Sequence, residues 1–155
     1  MPNNKINQWT LTLLRVVLGV IFTYHGYAKL FVKGALPGTA QFFAAISIPL
    51  ANYAAVLVAF LEFFGGLLLI LGLLTRWVSV LLIFEMLVAF FKVHLKQGFL
   101  ITPQAYGYEF ILLILTALVV VLVNGPGSLS FGKKFLRISN CIKDFFNFVN
   151  YLLIL

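Results

Sequence analysis

Glu62, Glu85 and Glu109 each lie in a stretch of sequence apolar enough to cross a bilayer, and of the chain's four acidic residues only Asp144 lies outside one. An ionised side chain at mid-bilayer costs about 2.5 to 3.5 kcal/mol on insertion scales, so these acids must be paired, protonated or put to use. Groups of opposite sign occupy the same stretches: Arg15, His25, Lys29 and Lys92, with His94 at the edge of the third. Glu and His shielded from water suit proton exchange linked to redox chemistry or transport. Neutral imidazoles at His25 and His94 also suit a haem or a metal. Two lone histidines without motif spacing support neither strongly, so no metal site is expected and haem is disfavoured.

Helical rise converts these positions into depths. At about 1.5 Å per residue from the inner border, Arg15 and Glu85 fall within about one turn of each other, which predicts a structural ion pair that fixes helix register. His25, Glu62, Lys92, His94 and Glu109 fall at about 18 to 26 Å, and Lys29 lies one turn beyond His25 on the same face. The polar residues therefore read as two tiers: the pair Arg15–Glu85, and an outer cluster of His25, Lys29, Glu62, Lys92, His94 and Glu109. Gly65 and Gly66, beside Glu62, allow close helix approach or space for a small ligand. Lys29 and Lys92 are long enough to snorkel to the interface instead.

The elements that must hold these groups are membrane helices. A 155-residue chain that is 63% hydrophobic and 10% charged, with mean hydropathy +1.08, cannot coat a soluble globule with polar surface. Its length suits about four spans of roughly 20 residues. They are expected near Trp9–Phe31, Leu50–Leu74, Trp77–His94 and Ala105–Val123, with a short surface helix around Gln41-Phe42-Phe43 and a tight turn at Thr75-Arg76. Asn124-Gly125-Pro126-Gly127 should end the fourth. Lys5 ahead of an apolar run resembles a signal peptide, but Arg15 interrupts the run and no small-residue cleavage site follows, so a retained first helix is expected. The fold class is all-α: an integral membrane four-helix bundle of two antiparallel hairpins. Leu61-Glu62-Phe63 and Tyr108-Glu109-Phe110 form a weak echo between the two hairpins.

Residues 1–131 make the membrane domain and residues 132–155 a separate tail. In the tail Phe135, Ile138, Ile142, Phe145, Phe146, Val149, Leu152 and Leu153 recur at helical spacing among polar residues, which predicts an amphipathic helix on the inner leaflet. With the N-terminus inside, seven basic residues (Lys5, Arg15, Arg76, Lys133, Lys134, Arg137, Lys143) face inward against four outside (Lys29, Lys33, Lys92, Lys96). Both termini are then cytoplasmic. The net charge of +7 is spread singly or in the tail, which argues for membrane lipids as partners and against nucleic acid. The one cysteine, Cys141, excludes an internal disulfide or a CxxC redox pair.

Arg15 with His25-Gly26 and Lys29, Leu61-Glu62-Phe63-Phe64-Gly65-Gly66, Gly72-Leu73-Leu74-Thr75-Arg76, Glu85 through His94-Leu95 with Gly98-Phe99, Tyr108-Glu109, and Gly125-Pro126-Gly127-Ser128 together resemble the DoxX family of small four-helix membrane proteins. The resemblance runs from about Leu11 to Phe131. It implies association with quinol-oxidase or thiosulfate:quinone oxidoreductase systems, or with a membrane complex for oxidative-stress defence, and it carries Arg15, His25, Lys29, Glu62, Glu85, His94 and Glu109 over as family-like polar positions. The expectation is an accessory or small subunit of a quinone-linked redox complex in the bacterial inner membrane. Its outer cluster would offer proton-exchanging groups to a quinone or small oxyanion. A proton-coupled small-solute transporter and a non-catalytic scaffold are the alternatives.

Overall fold

The computed structural model describes residues 5–102 and 105–131. The tail beyond residue 131, with its expected amphipathic helix and Asp144, lies outside the described residues. The elements run α1 (Lys5–Phe31), α2 (Ala35–Ala45), α3 (Ala51–Leu71), α4 (Thr75–Ala89), a π turn (Phe90–His94), a 3-10 turn (Leu95–Gln97), β1 (Ile101–Thr102), β2 (Ala105–Tyr106) and α5 (Glu109–Asn124). Three stretches, Asn7–Phe31, Ala51–Leu71 and Thr75–Gln97, are long and apolar enough to cross a membrane. Helix α5 has 16 residues and a length of about 24 Å, less than the roughly 30 Å of a hydrocarbon core.

Each long helix buries one stripe. On α1 it is Thr12, Arg15, Leu18, Phe22 and Gly26; on α3, Ala55, Ala59, Glu62, Gly66 and Leu69; on α4, Thr75, Val78, Ser79 and Leu82; on α5, Ile111, Ile114, Leu118 and Val121. Steps of three and four keep each set on one helical face. The polar members of these stripes are thereby turned away from lipid. Helix α1 packs along α3, α3 on α4, α4 on α5 and α5 back on α1, while the expected short helix, α2, lies against α3 and α1. Leu18, Phe22, Leu69, Val78, Leu82, Ile114, Leu118 and Val121 form the shared core.

The α1–α3 seam is the tightest. A Cβ on Gly66 would stand 2.5 Å from the Thr23 backbone nitrogen, and one on Gly19 would stand 2.7 Å from the Gly66 carbonyl oxygen. Backbone meets backbone there, as in close helix pairs built on small residues. Opposite Gly26 stands the Phe63 backbone. These contacts fix how far α1 slides along α3.

The fourth apolar helix begins later than expected, at Glu109 instead of Ala105. Ala105 pairs with Thr102 and Tyr106 with Ile101 in a small antiparallel hairpin. The N–H groups of Tyr108 and Glu109 then donate to the carbonyls of Gly98 and Phe99, both at 3.1 Å. Two donors that a helix start would leave unpaired are satisfied by the preceding loop, so the helix starts where the loop ends.

After α5 the chain folds back over the ends of α1 and α3. The Ser128 N–H donates to Thr12 Oγ1 at 3.1 Å, Ser130 Oγ to the Gly72 carbonyl at 2.8 Å, and Arg15 Nη2 to the Leu129 carbonyl at 2.6 Å. Gly125-Pro126-Gly127-Ser128 is thus more than a helix stop.

Gly66→Ala should cost about 1 to 3 kcal/mol, because backbone cannot yield to an added methyl as a side chain can. Gly38→Ala, in α2 with nothing within 4 Å of an added Cβ, should be neutral or gain up to about 1 kcal/mol. Denaturant titration of the purified protein in mild detergent measures both, and equal effects would contradict the seam.

Candidate functional site

In the half of the molecule away from Arg15, the helices part around a cavity of about 300 Å³. Helix α1 contributes Ile21, Phe22 and His25, α3 contributes Glu62, and α4 contributes Met86 and Ala89. His94, Ile101 and Gly107 close one side, with Phe110, Ile111 and Ile114 of α5 beyond them. The walls are apolar except at His25, Glu62 and His94. That is the usual composition of a small-ligand site: apolar surface for affinity and a few polar groups for orientation.

The π turn is what aims His94. Eight residues separate Met86 from His94, and at about 100° per residue a regular α-helix would leave them about 80° apart around its axis. The extra residue that a π turn accommodates reduces the offset to about 20°, so Met86, Ala89 and His94 share the cavity face. His94 Nδ1 lies 3.3 Å from the Gly107 carbonyl oxygen. A carbonyl only accepts, so it is Nδ1 that donates in this contact.

Gly107 is itself clamped beneath the backbone of Phe99 and Leu100, where no side chain fits. Glu109 Oε1 accepts the Ile101 N–H at 2.9 Å. The loop over the cavity is therefore fastened to both His94 and the start of α5.

Glu62 is buried, with its side chain 6% exposed, and forms an ion pair with Lys29 of α1. Glu85 of α4 also comes within hydrogen-bonding reach of Glu62 and feels the charge of Lys29. No N–H or O–H of the described residues reaches the buried Oε2 of Glu85. One ammonium thus faces two carboxyl groups at the cavity wall. The register explains the meeting: Gly65 packs on Val78 and Leu82, and one turn beyond Gly65 and Leu82 lie Glu62 and Glu85.

The expected pair of Arg15 with Glu85 does not form. Arg15 is 1% exposed; its Nη1 packs on Gly72, at the turn before α4, and its Nη2 donates to Leu129. Glu85 stands ten residues into α4, about 15 Å farther along. Depths measured from assumed membrane borders placed the two residues level, whereas the α1–α3 seam sets Arg15 beside the turn. Counting from that turn pairs the acids correctly, since Glu62 lies nine residues before the end of α3 and Glu85 ten after the start of α4.

Of the expected outer cluster, the structure brings His25, Glu62 and His94 to one cavity and ties Lys29 to Glu62. Lys92 is exposed, and Glu109 binds the loop backbone; neither lines the cavity. Met86, Ala89 and Gly107 have no chemical signature in the sequence that marks them as its walls. Double-mutant cycles separate the two pairings. Lys29→Met with Glu62→Gln should couple by about 0.5 to 3 kcal/mol, whereas Arg15→Met with Glu85→Gln should add to within about 0.5 kcal/mol in detergent unfolding.

The DoxX family profile matches residues 10–95 of the chain. The provisionally named oxidoreductase CatD of Bacillus subtilis is 36% identical over 111 residues, 72% of this chain and 77% of that protein. An uncharacterized protein of Haemophilus influenzae is 33% identical over 134 residues, 86% of this chain and 96% of its own length. The inner membrane protein YphA of Escherichia coli is 27% identical over 127 residues, 80% and 89% of the two chains. No solved structure gives a significant match. The matched segment contains the α1–α3 seam, Lys29, Glu62, Glu85 and both cavity histidines, and this membrane protein belongs to the DoxX family.

Proposed function

We propose that this DoxX-family protein crosses the bacterial cytoplasmic membrane four times, as two antiparallel hairpins with both termini in the cytoplasm. In this reading it serves a membrane redox complex as an accessory subunit, and its outward-facing cavity receives a quinone head group. The observation that carries the reading is the cavity itself: apolar walls around His25, Glu62 and His94, with Lys29 and Glu85 behind Glu62. A quinone ring is flat and apolar with carbonyl oxygens at opposite edges, so it needs apolar walls and hydrogen-bonding groups on more than one side. Glu62 on α3 and His25 on α1 meet that need from different elements.

The oxidoreductase name carried by CatD supports the redox setting. The basic residues of the sequence, seven on the inner side against four on the outer when the N-terminus is inside, support the orientation. A fourth crossing by α5, shorter than the other three, is accommodated where a short apolar helix thins the bilayer locally.

Short-chain ubiquinone titrated into the purified protein should bind, and Glu62→Leu and His25→Ala should each weaken binding by about 3- to 10-fold, the worth of one hydrogen bond. Absence of saturable binding to the wild type sinks the quinone reading. Solute uptake by proteoliposomes that depends on a proton gradient would replace it with a transporter.

A further inference from the structure

We propose that Glu62 and Glu85 act as one acid: a carboxyl pair that holds a single proton between its oxygens at neutral pH, while Lys29 balances the one charge that remains. Ionised carboxylates only accept hydrogen bonds, so two carboxyl groups in contact are held together when one of them supplies an O–H and repel when both are ionised. Glu85 has no other donor for its buried Oε2 among the described residues. Lys29 is committed to Glu62. With one shared proton, the group of one ammonium and two carboxyls is neutral, the state that a poorly solvated site favours.

The other groups around the pair do not change this balance. From α1, His25 faces the cavity beside Lys29, and from the π turn His94 faces it with Nδ1 turned to Gly107. From α5, Glu109 is engaged with the Ile101 N–H, and Lys92 is exposed. Only Glu62 of the pair lines the cavity, so it is the pair's outlet. The O–H bond at Glu62 breaks, the proton passes to an oxygen of the cavity's occupant, and the pair is left doubly ionised against Lys29 until a proton returns from water. The delivery step rests on the cavity being a ligand site; the pair does not.

Infrared spectra of the purified protein with isotopically labelled glutamate, in light and heavy water at pH 7, count the carboxyls in the acid form. The wild type should show one per chain from this site, and the same signal should remain in Glu109→Gln and Asp144→Asn. Glu62→Gln and Glu85→Gln should each remove it, since the remaining carboxylate then faces Lys29 alone. Lys29→Met should raise it from one to two. No acid signal in the wild type, one that survives either pair substitution, or no rise in Lys29→Met overturns the proposal. Gel filtration identifies any variant that fails to fold, and either glutamine substitution suffices by itself. A normal acid count together with no quinone binding overturns the ligand reading alone.

Discussion

The seam between α1 and α3 is the constraint on which the rest of the molecule depends. Gly19, Thr23 and Gly26 on one helix meet Gly66 and the Phe63 backbone on the other at distances that admit no further atoms. Helices in lipid gain little from apolar contact alone, since lipid tails are as apolar as leucine, so close backbone packing carries much of the association. Such a contact also sets register, because sliding by one turn would drive side chains into backbone. With the register set, Lys29 falls beside Glu62 and Arg15 beside Gly72.

Charge inside the molecule is arranged in two unlike ways. At one end the buried Arg15 guanidinium is covered by the segment after α5 and donates to a backbone carbonyl, with its Nε and Nη1 lacking partners among the described residues. At the other end an ammonium and two carboxyls share one site beside a cavity. The first arrangement ties the last helix to the first and third. The second places Glu62 on the cavity wall with Lys29 and Glu85 behind it, and the proposed function rests there.

Two local departures from regular helix shape the cavity. The π turn at Phe90–His94 rotates His94 onto the face of Met86, and the loop from Gly98 to Glu109 is pinned by backbone hydrogen bonds and by the Glu109 carboxylate. Together they leave space between α1, α4 and α5. An unbroken fourth helix from Ala105 would have removed the loop that carries Gly107 and Ile101 into the cavity wall.

The sequence by itself determined that this is an α-helical membrane protein, where its three long apolar helices run, and which acids and histidines those apolar stretches carry. Those properties are local: apolarity summed over about 20 residues decides insertion, and the residue type decides the possible chemistry. Only the tertiary structure decided that Arg15 serves the Leu129 carbonyl instead of Glu85, that Glu109 holds a loop, and that Lys92 stays outside the cavity. Each of those outcomes turns on the offset between helices or on a single extra residue in a turn. A shift of one residue moves a side chain by about 100° around its helix. Hydropathy is blind to such shifts, and backbone contact at Gly19, Gly26 and Gly66 fixes them.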